Sequence, residues 1–262
     1  MKVLPPGTLL QLMYLKERLN RIPSGKFIEI GPGSGEITRL LLDSGWSGYS
    51  YDLDGKTITA LKERFSQEIT ENRLAPTNAD FVLSPPPSEK VDLVISCMVM
   101  EHLEEETQTA YMRTAAECLK NNGIMIALVP SSPAHWGIED DIAGHCRRYT
   151  RASVTALTES SGYILRHAAG LTFPVSNLLL PISNFLVNRS ERSKLKLSAL
   201  DRTKLSGRRQ VMFKTYFPVL LGVVLNKYAL FPLHIIQKLF SNSERSLVLY
   251  FEAQPGHFTQ KK

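Results

Sequence analysis

Cysteine is scarce in this chain of 262 residues: Cys97, Cys118 and Cys146 are the only three, and none forms a C-x-x-C pair. An odd count at such separations argues against a disulfide framework and a structural zinc site, and fits a reducing compartment. Long apolar runs are missing too. Between Val211 and Phe240 the longest uncharged run is Thr215 to Asn226, 12 residues, where a bilayer span needs roughly 20. The apolar stretch from Leu171 to Val187 is interrupted by Pro174 and Pro181. No transmembrane helix is expected. The opening MKVLPPGTLLQLMYLKERLN has neither the apolar core nor the small-residue cleavage site of a signal peptide. The chain reads as cytoplasmic.

What is present describes a soluble globular protein, with 43% hydrophobic and 21% charged residues. The length suits one large domain, or a domain with an elaboration. The net charge of +6 is unevenly placed. From Leu171 onward there are 14 Lys/Arg against 4 Asp/Glu, a local +10; the first 170 residues hold 17 against 21, a local −4. Such asymmetry points to an anionic partner or a membrane surface.

The most informative stretch is KFIEIGPGSGEITRLLL, Lys26 to Leu42. Phe27 to Ile30 reads as a buried parallel strand, Gly31, Gly33 and Gly35 as a tight turn, and Ile37, Leu40 and Leu41 as the apolar stripe of a helix. Strand, glycine turn and helix together form the cofactor cradle of doubly wound α/β proteins, where a ligand lies on bare backbone near a helix N-terminus. A dinucleotide site places its third glycine one position later, at residue 36. Here Glu36 stands there, and its charge would repel a pyrophosphate. Glu29, just ahead of the turn, suits a ligand carrying a positive amine.

This E-x-G-x-G-x-G pattern resembles motif I of the class I S-adenosylmethionine-dependent methyltransferases. The resemblance implies a fold and a set of roles. The fold is α/β, a doubly wound, Rossmann-like, mostly parallel sheet with an antiparallel final strand and a C-terminal helical or lid elaboration. The cofactor is S-adenosyl-L-methionine, held by Glu29, Gly31, Gly33 and Gly35. A second strand over Gly48 to Tyr51 ends in Asp52-Leu53-Asp54. An acid about 20 residues past the first glycine grips a ribose diol in this architecture. By the family pattern Asp52 takes that role with Leu53 beside it, while Asp54 also suits the cap of the helix starting near Lys56. Pro76 to Phe81 resembles the adenine-binding segment, with Asp80 accepting from the exocyclic amine and Phe81 covering the ring.

VDLVISCMVMEHL, Val91 to Leu103, resembles motif IV of small-molecule methyltransferases of the ubiquinone-biosynthesis type. There Ser96 and Met98 would flank the methionine part of the cofactor. The N-P-P-aromatic motif of base-methylating enzymes is missing at this place, which counts against nucleic acid as a partner. Cys97 reads as a small buried thiol.

A helix is expected over Lys56 to Asn72, another over Glu105 to Asn121 stopped by Asn122-Gly123, and a strand from Gly123 to Val129. The following loop concentrates reactive side chains within 15 residues: His135, Trp136, Glu139, Asp140, Asp141, His145, Arg147, Arg148 and Tyr149. Its D-x-x-x-G-H-x-R-R-Y pattern resembles a subgroup whose loop closes over the acceptor. If the acceptor is a hydroxyl, a histidine is the side chain suited to act as base. His145 is the first candidate, His102 the second and His135 the third, with fixing of the loop through Asp140 or Asp141 the other role open to His145. Arg147 and Arg148 suit an anionic substrate or a loop acid, and His135, Trp136 and Tyr149 complete the substrate set. Glu101-His102 and Asp140-Asp141 offer oxygen and nitrogen donors, but no spacing of a metal site appears, so no metal is assigned.

Four segments are expected: an N-terminal helix over 1–22, the cofactor-binding core over 23–170, a basic and apolar lid or membrane-contacting insertion over 171–245, and a final strand and tail over 246–262. The region 171–240 reads either as a lid over the core, with a solvated basic loop, or as a patch resting on anionic membrane. The function expected is methyl transfer to a small-molecule or lipid-linked acceptor, at oxygen. Three alternatives stand beside it. A nicotinamide-dependent oxidoreductase is disfavoured by Glu36. A non-catalytic regulatory protein would retain the same cofactor residues. An RNA methyltransferase would clamp phosphates with the basic stretch from Arg189 to Arg209, which carries no aromatic residue for base stacking.

Overall fold

The computed structural model of the protein describes residues 3–206 and 211–256, so Arg208 and Arg209 of the basic stretch and the tail from His257 lie outside the described residues. In chain order the elements are α1 (Pro6–Leu19), β1 (Lys26–Ile30), α2 (Glu36–Asp43), β2 (Ser47–Asp52), α3 (Gly55–Arg64), α4 (Ser66–Thr70), β3 (Leu74–Asn78), β4 (Val91–Cys97), α5 (Glu105–Cys118), β5 (Leu119–Pro130), α6 (Ile138–Ala143), α7 (Arg151–Ser160), β6 (Tyr163–Leu171), α8 (Val175–Glu191), α9 (Ala199–Ser206), α10 (Phe231–Leu239) and β7 (Val248–Pro255).

Seven strands form one sheet in the order β3-β2-β1-β4-β5-β7-β6. β3, β2, β1, β4 and β5 run parallel; β7 enters antiparallel between β5 and β6. The central strands read as continuous apolar runs because helices cover both faces of a parallel sheet. Phe27, Ile28, Leu93, Val94 and Ile95 are fully buried, each contributing about 1.5–3 kcal/mol. The strand order reverses between β1 and β4, which opens a crevice at their carboxyl ends.

The chain divides into two compact units. The sheet unit comprises residues 23–129, 151–168 and 250–262; the helical unit comprises 1–22, 130–150 and 169–249. In the helical unit α1 packs with α8 and α10, and α6 packs with α8 and α9.

Several elements depart from the sequence expectation. The helix expected over Lys56 to Asn72 breaks into α3 and α4 at Phe65, whose backbone leaves the helical region (φ −116°, ψ 28°). Its ring is fully buried and stacked under the guanidinium of Arg39, 4.6 Å from the centroid. Burying that ring outweighs one turn of helix. The segment after α4 forms β3, a polar edge strand (LAPTN) without apolar alternation. α5 stops at Cys118 rather than Asn121, and β5 begins at once, with Leu119 paired to Val91. Asn122-Gly123 therefore sits in a strand, at a register irregularity, and stops no helix.

The reactive loop contains the short helix α6. α8 runs through Pro181 without a break; Pro181 is exposed, and its ring costs the hydrogen bond to the Asn177 carbonyl, four residues back. The structure draws the segment 172–247 as helices and short turns, with no strand among its described residues apart from isolated bridges.

Candidate functional site

The glycine turn follows β1 directly. Gly31, Gly33 and Gly35 all have positive φ, at 68°, 52° and 81°, the left-handed region that side chains disfavour. Space also demands glycine at two of them. A Cβ on Gly31 would lie 2.5 Å from Val99 Cγ2, and one on Gly35 would lie 2.6 Å from Phe65 Cε2 and 2.9 Å from Leu61 Cδ2. The turn is pinned by hydrogen bonds from Gly31 N to Tyr51 O (2.9 Å) and from Gly35 N to Pro32 O (2.8 Å). It leads into α2 at Glu36, whose carboxylate pairs with Arg64 at 2.8 Å.

Glu29 is buried in β1 behind this turn. Its carboxyl accepts from Thr38 Oγ1 at 2.6 Å and Ser50 Oγ at 3.3 Å. Burial pushes the carboxyl up to about 7, and the two hydroxyl donors only partly offset it. The native state thus holds this proton more tightly than the unfolded chain does. The resulting stability is complete below the unfolded pKa of about 4.5 and is lost as pH rises through about 7. Glu29→Gln, which cannot ionise, should therefore gain stability relative to the parent between pH 5 and pH 8, by roughly 3 kcal/mol at most. Urea denaturation at both pH values checks this; a difference that does not change with pH would refute the assignment.

At the end of β2, Asp52 accepts from the Asp54 backbone N–H at 2.8 Å, and Leu53 stands half exposed beside it. Asp54 caps α3, accepting from Thr57 Oγ1 (2.9 Å) and the Thr57 N–H (3.3 Å). Past β3, Asp80 accepts from the Val82 N–H at 2.8 Å. Phe81 is buried between Tyr51 and Tyr111, edge to face with each at 5.7 Å. Ser96 ends the buried part of β4, with its hydroxyl facing that of Tyr111. Met98 follows at φ 55°, its N–H bonded to Leu128 O. Burial, reinforced by the Glu101 and Glu29 carboxyls, pushes the Cys97 thiol up to about 12, which favours the thiol over the reactive thiolate. His102 lies in the turn Met100–His102.

The sheet unit thus gathers the whole expected cofactor set at the carboxyl ends of β1, β2 and β4 and the segment after β3. The residues fit a nucleoside with an amino-acid tail: side-chain-free backbone at the turn, a carboxylate after β2, an aromatic cluster around Phe81 and a buried hydroxyl on β4. Thr38, Ser50 and Tyr51 were not singled out from the sequence. The alternation of Ser50, Tyr51 and Asp52 along β2 was the available signal, since it turns Ser50 and Asp52 to the same side of the strand.

In the helical unit the reactive loop is organised around Asp140, which is fully buried. It accepts from the Gly137 N–H (2.9 Å), from His145 Nδ1 (2.8 Å) and from Arg148 Nε (2.9 Å). Burial alone would raise this carboxyl, but the bonds from His145 and Arg148 outweigh it and hold it below the ordinary aspartate range. Gly144, at φ 77°, ends α6 and turns His145 back toward Asp140. Arg148 also donates to Ser131 O at 2.9 Å, and Tyr149 is buried, bridging Ser131. Trp136 Nε1 donates to Asp141 at 2.9 Å, and His135 Nδ1 meets Ser132 Oγ at 2.8 Å. Arg147 is partly exposed. His145, Arg148 and Asp140 are therefore one cluster, and Trp136, just ahead of α6, pairs with Asp141 on it. His102 belongs to the other unit.

Comparison with known proteins bears on this arrangement. A methyltransferase-domain family profile matches residues 9–168, more than half of the chain. A probable ribosomal RNA small subunit methyltransferase A from Methanospirillum hungatei JF-1 is 41% identical over 70 residues, 26% of this chain. The chain spans about a quarter of the length of that relative (27%). Among solved structures, magnesium protoporphyrin IX methyltransferase from Synechocystis PCC 6803 superposes with a TM-score of 0.52 at 16% identity, over 63% of this chain and 77% of that one. The glycopeptide N-methyltransferase MtfA does so with a TM-score of 0.51 at 15% identity, over 61% and 79%. At these identities the two structures speak for the fold. The turn geometry, the strand order and the family match converge: this chain belongs to the methyltransferase-domain family.

Proposed function

We propose that the protein methylates a hydroxyl of a small-molecule or lipid-linked acceptor. The cofactor's sulfonium supplies an already activated methyl group, so the protein's own tasks are alignment and proton removal. In this reading Gly31, Gly33 and Gly35 offer backbone to the cofactor, Asp52 accepts from its ribose hydroxyls with Leu53 alongside, and Asp80 and Phe81 take the adenine. Ser96 and Met98 line the methionine end. Glu29 acts from behind the turn, through Thr38 and Ser50.

The observation that carries the oxygen reading is the Asp140–His145 bond at 2.8 Å. A buried carboxylate accepting from Nδ1 fixes the ring's orientation and tautomer, so the neutral imidazole carries its lone pair on Nε2. This bond supports the reading of His145 as a base, beside the loop-fixing role that the same bond serves. His102 is the second candidate. Arg148 is held by Asp140 and Ser131; in this reading Arg147 meets an anionic acceptor, with His135, Trp136 and Tyr149 shaping the site.

The test uses methyl-labelled cofactor and a panel of hydroxylated acceptors: prenylated phenols, lipid-linked sugars and their soluble analogues. His145→Ala should lower turnover by 10²–10⁴-fold, the usual worth of a general base, with cofactor affinity unchanged. Asp52→Ala should do the reverse, weakening cofactor affinity. Equal labelling of acceptors whose hydroxyls are blocked would overturn the oxygen reading. Calorimetric binding of NADH with none of S-adenosylmethionine would overturn the cofactor assignment.

A further inference from the structure

The helix α10 is built inside out. Its buried residues are polar: His234 Nε2 meets Glu17 Oε1 at 2.9 Å, and Gln237 donates to Leu10 O at 2.9 Å while accepting from the Thr172 N–H at 3.0 Å. Its exposed residues are apolar: Phe231, Ile235 and Leu239, at i, i+4 and i+8. A helix that faces water shows the opposite pattern. α8 carries a second such stripe, with Leu178, Ile182 and Phe185 exposed at i, i+4 and i+7 while Val187 is buried. A third apolar segment is the turn Val219–Val223, where Leu220 and Val223 are 84% and 78% exposed. Single exposed apolar residues are ordinary, but three ordered stripes in one unit mark an interaction surface.

The two helices are tied together, and the turn is held to the start of the chain. Phe173, just ahead of α8, packs edge-on against Phe240, just past α10, at 5.2 Å. Val3 pairs with Phe217 ahead of the turn, and its side chain reaches Gly222 within it. Charge names the partner. The helical unit holds 18 Lys/Arg against 7 Asp/Glu, a net +11, while the sheet unit holds 13 against 18, a net −5. Exposed cations border the stripes: Arg189 and Arg192 at the end of α8, and Lys227, whose ammonium lies over the Tyr228 ring at 4.9 Å. A groove of about 380 Å³, lined in part by Phe185, Asn188 and Arg192, joins the α8 stripe to this rim. Among the described residues no helix is long and apolar enough to cross a membrane.

We propose that this face of the helical unit docks on an anionic lipid bilayer. The stripes of α8, α10 and the turn Val219–Val223 seat at the boundary of headgroups and acyl chains, and Arg189, Arg192 and Lys227 reach the phosphates. A second copy of the chain is a poorer occupant, since it would oppose two surfaces of like charge. RNA is poorer as well, because phosphates gain nothing from aliphatic stripes. The proposal rests on the lipid-linked reading of the acceptor, whose site it would hold at the membrane surface.

The test is sedimentation of the full chain with phosphatidylcholine vesicles, with and without about one third phosphatidylglycerol. Binding is expected to the anionic vesicles only, weakening with salt. The double variant Leu220→Glu/Val223→Glu should bind at least tenfold less, and Leu178→Glu/Ile182→Glu likewise. Arg189→Gln and Arg192→Gln should each cost about fivefold on anionic vesicles. Cofactor affinity, titrated in parallel, should stay at the parental value in all four variants, because every substitution lies on an exposed position of the helical unit. The proposal is overturned if anionic vesicles do not retain the protein, or if both apolar variants bind as the parent does. It is also overturned if salt-sensitive RNA binding, or a dimer dissociated by Leu220→Glu, appears in place of vesicle binding. Failure here with methylation of a soluble hydroxyl intact would remove the docking and leave the function. Vesicle binding with no methyl transfer to any hydroxyl acceptor would do the reverse.

Discussion

Asp140→Ala should lower stability by about 3–5 kcal/mol, the cost of removing one partner from a buried ion pair. Asp140 is fully buried and accepts three hydrogen bonds, and the side chain of Arg148 that it meets is only 7% exposed. Deleting the carboxylate leaves a guanidinium in the interior with, among the described residues, the Ser131 carbonyl to meet it, and frees the first turn of α6 from its tie to Gly137. Asp140→Asn keeps the volume and one acceptor, so it should cost less but remain clearly destabilising. The pH dependence follows from the depressed carboxyl. Its contribution is present above the unfolded aspartate pKa of about 4 and disappears as pH falls through the lower native value. The alanine variant should therefore lose that part of the parent's acid sensitivity. Urea denaturation at pH 7 and pH 3 measures both effects; a loss under about 1 kcal/mol at pH 7 would mean the cluster is solvated and not the hub of the loop.

Gly31→Val should weaken S-adenosylmethionine binding by roughly a hundredfold, about 2.7 kcal/mol. Two costs act together. A β-branched residue at φ 68° is a backbone outlier, with a penalty of roughly 1–2 kcal/mol for the left-handed conformation alone. Its Cβ would also stand 2.5 Å from Val99 Cγ2, so either Val99 turns away or the cradle widens. Val99 follows Met98 in the loop after β4, so either adjustment disturbs residues expected at the methionine end of the cofactor. Gly31→Ala keeps the backbone penalty and the Cβ contact with Val99 but lacks the two further methyl groups, and should fall between parent and valine. Calorimetric titration with a thermal melt in parallel separates lost binding from lost folding. Affinity within threefold of the parent for both variants would place the cofactor away from this turn.

The cofactor half of the protein was legible along the chain because its information is local. A buried strand, glycines at alternate positions and an acid at the end of the next strand each express a backbone requirement that no distant contact can supply. Glu36 in the place of the third dinucleotide glycine carried similar weight, because charge at a helix N-terminus acts within one turn. Other features depended on partners far away in sequence. The break between α3 and α4 appears only when Phe65 meets Gly35 and Arg39, and the edge strand β3 exists because β2 offers it a ladder. The start of β5 at Leu119 likewise follows from its pairing with Val91.

Local pattern thus sufficed for the fold class, the turn and the residues beside it, since each is written in residue size and backbone freedom over a few positions. Folding in three dimensions was needed to join Asp140, His145 and Arg148 into one hydrogen-bonded cluster. It was needed again to turn the polar side of α10 inward, because both outcomes hang on which groups lose water. Burial, unlike helical period, is a property of the assembled chain.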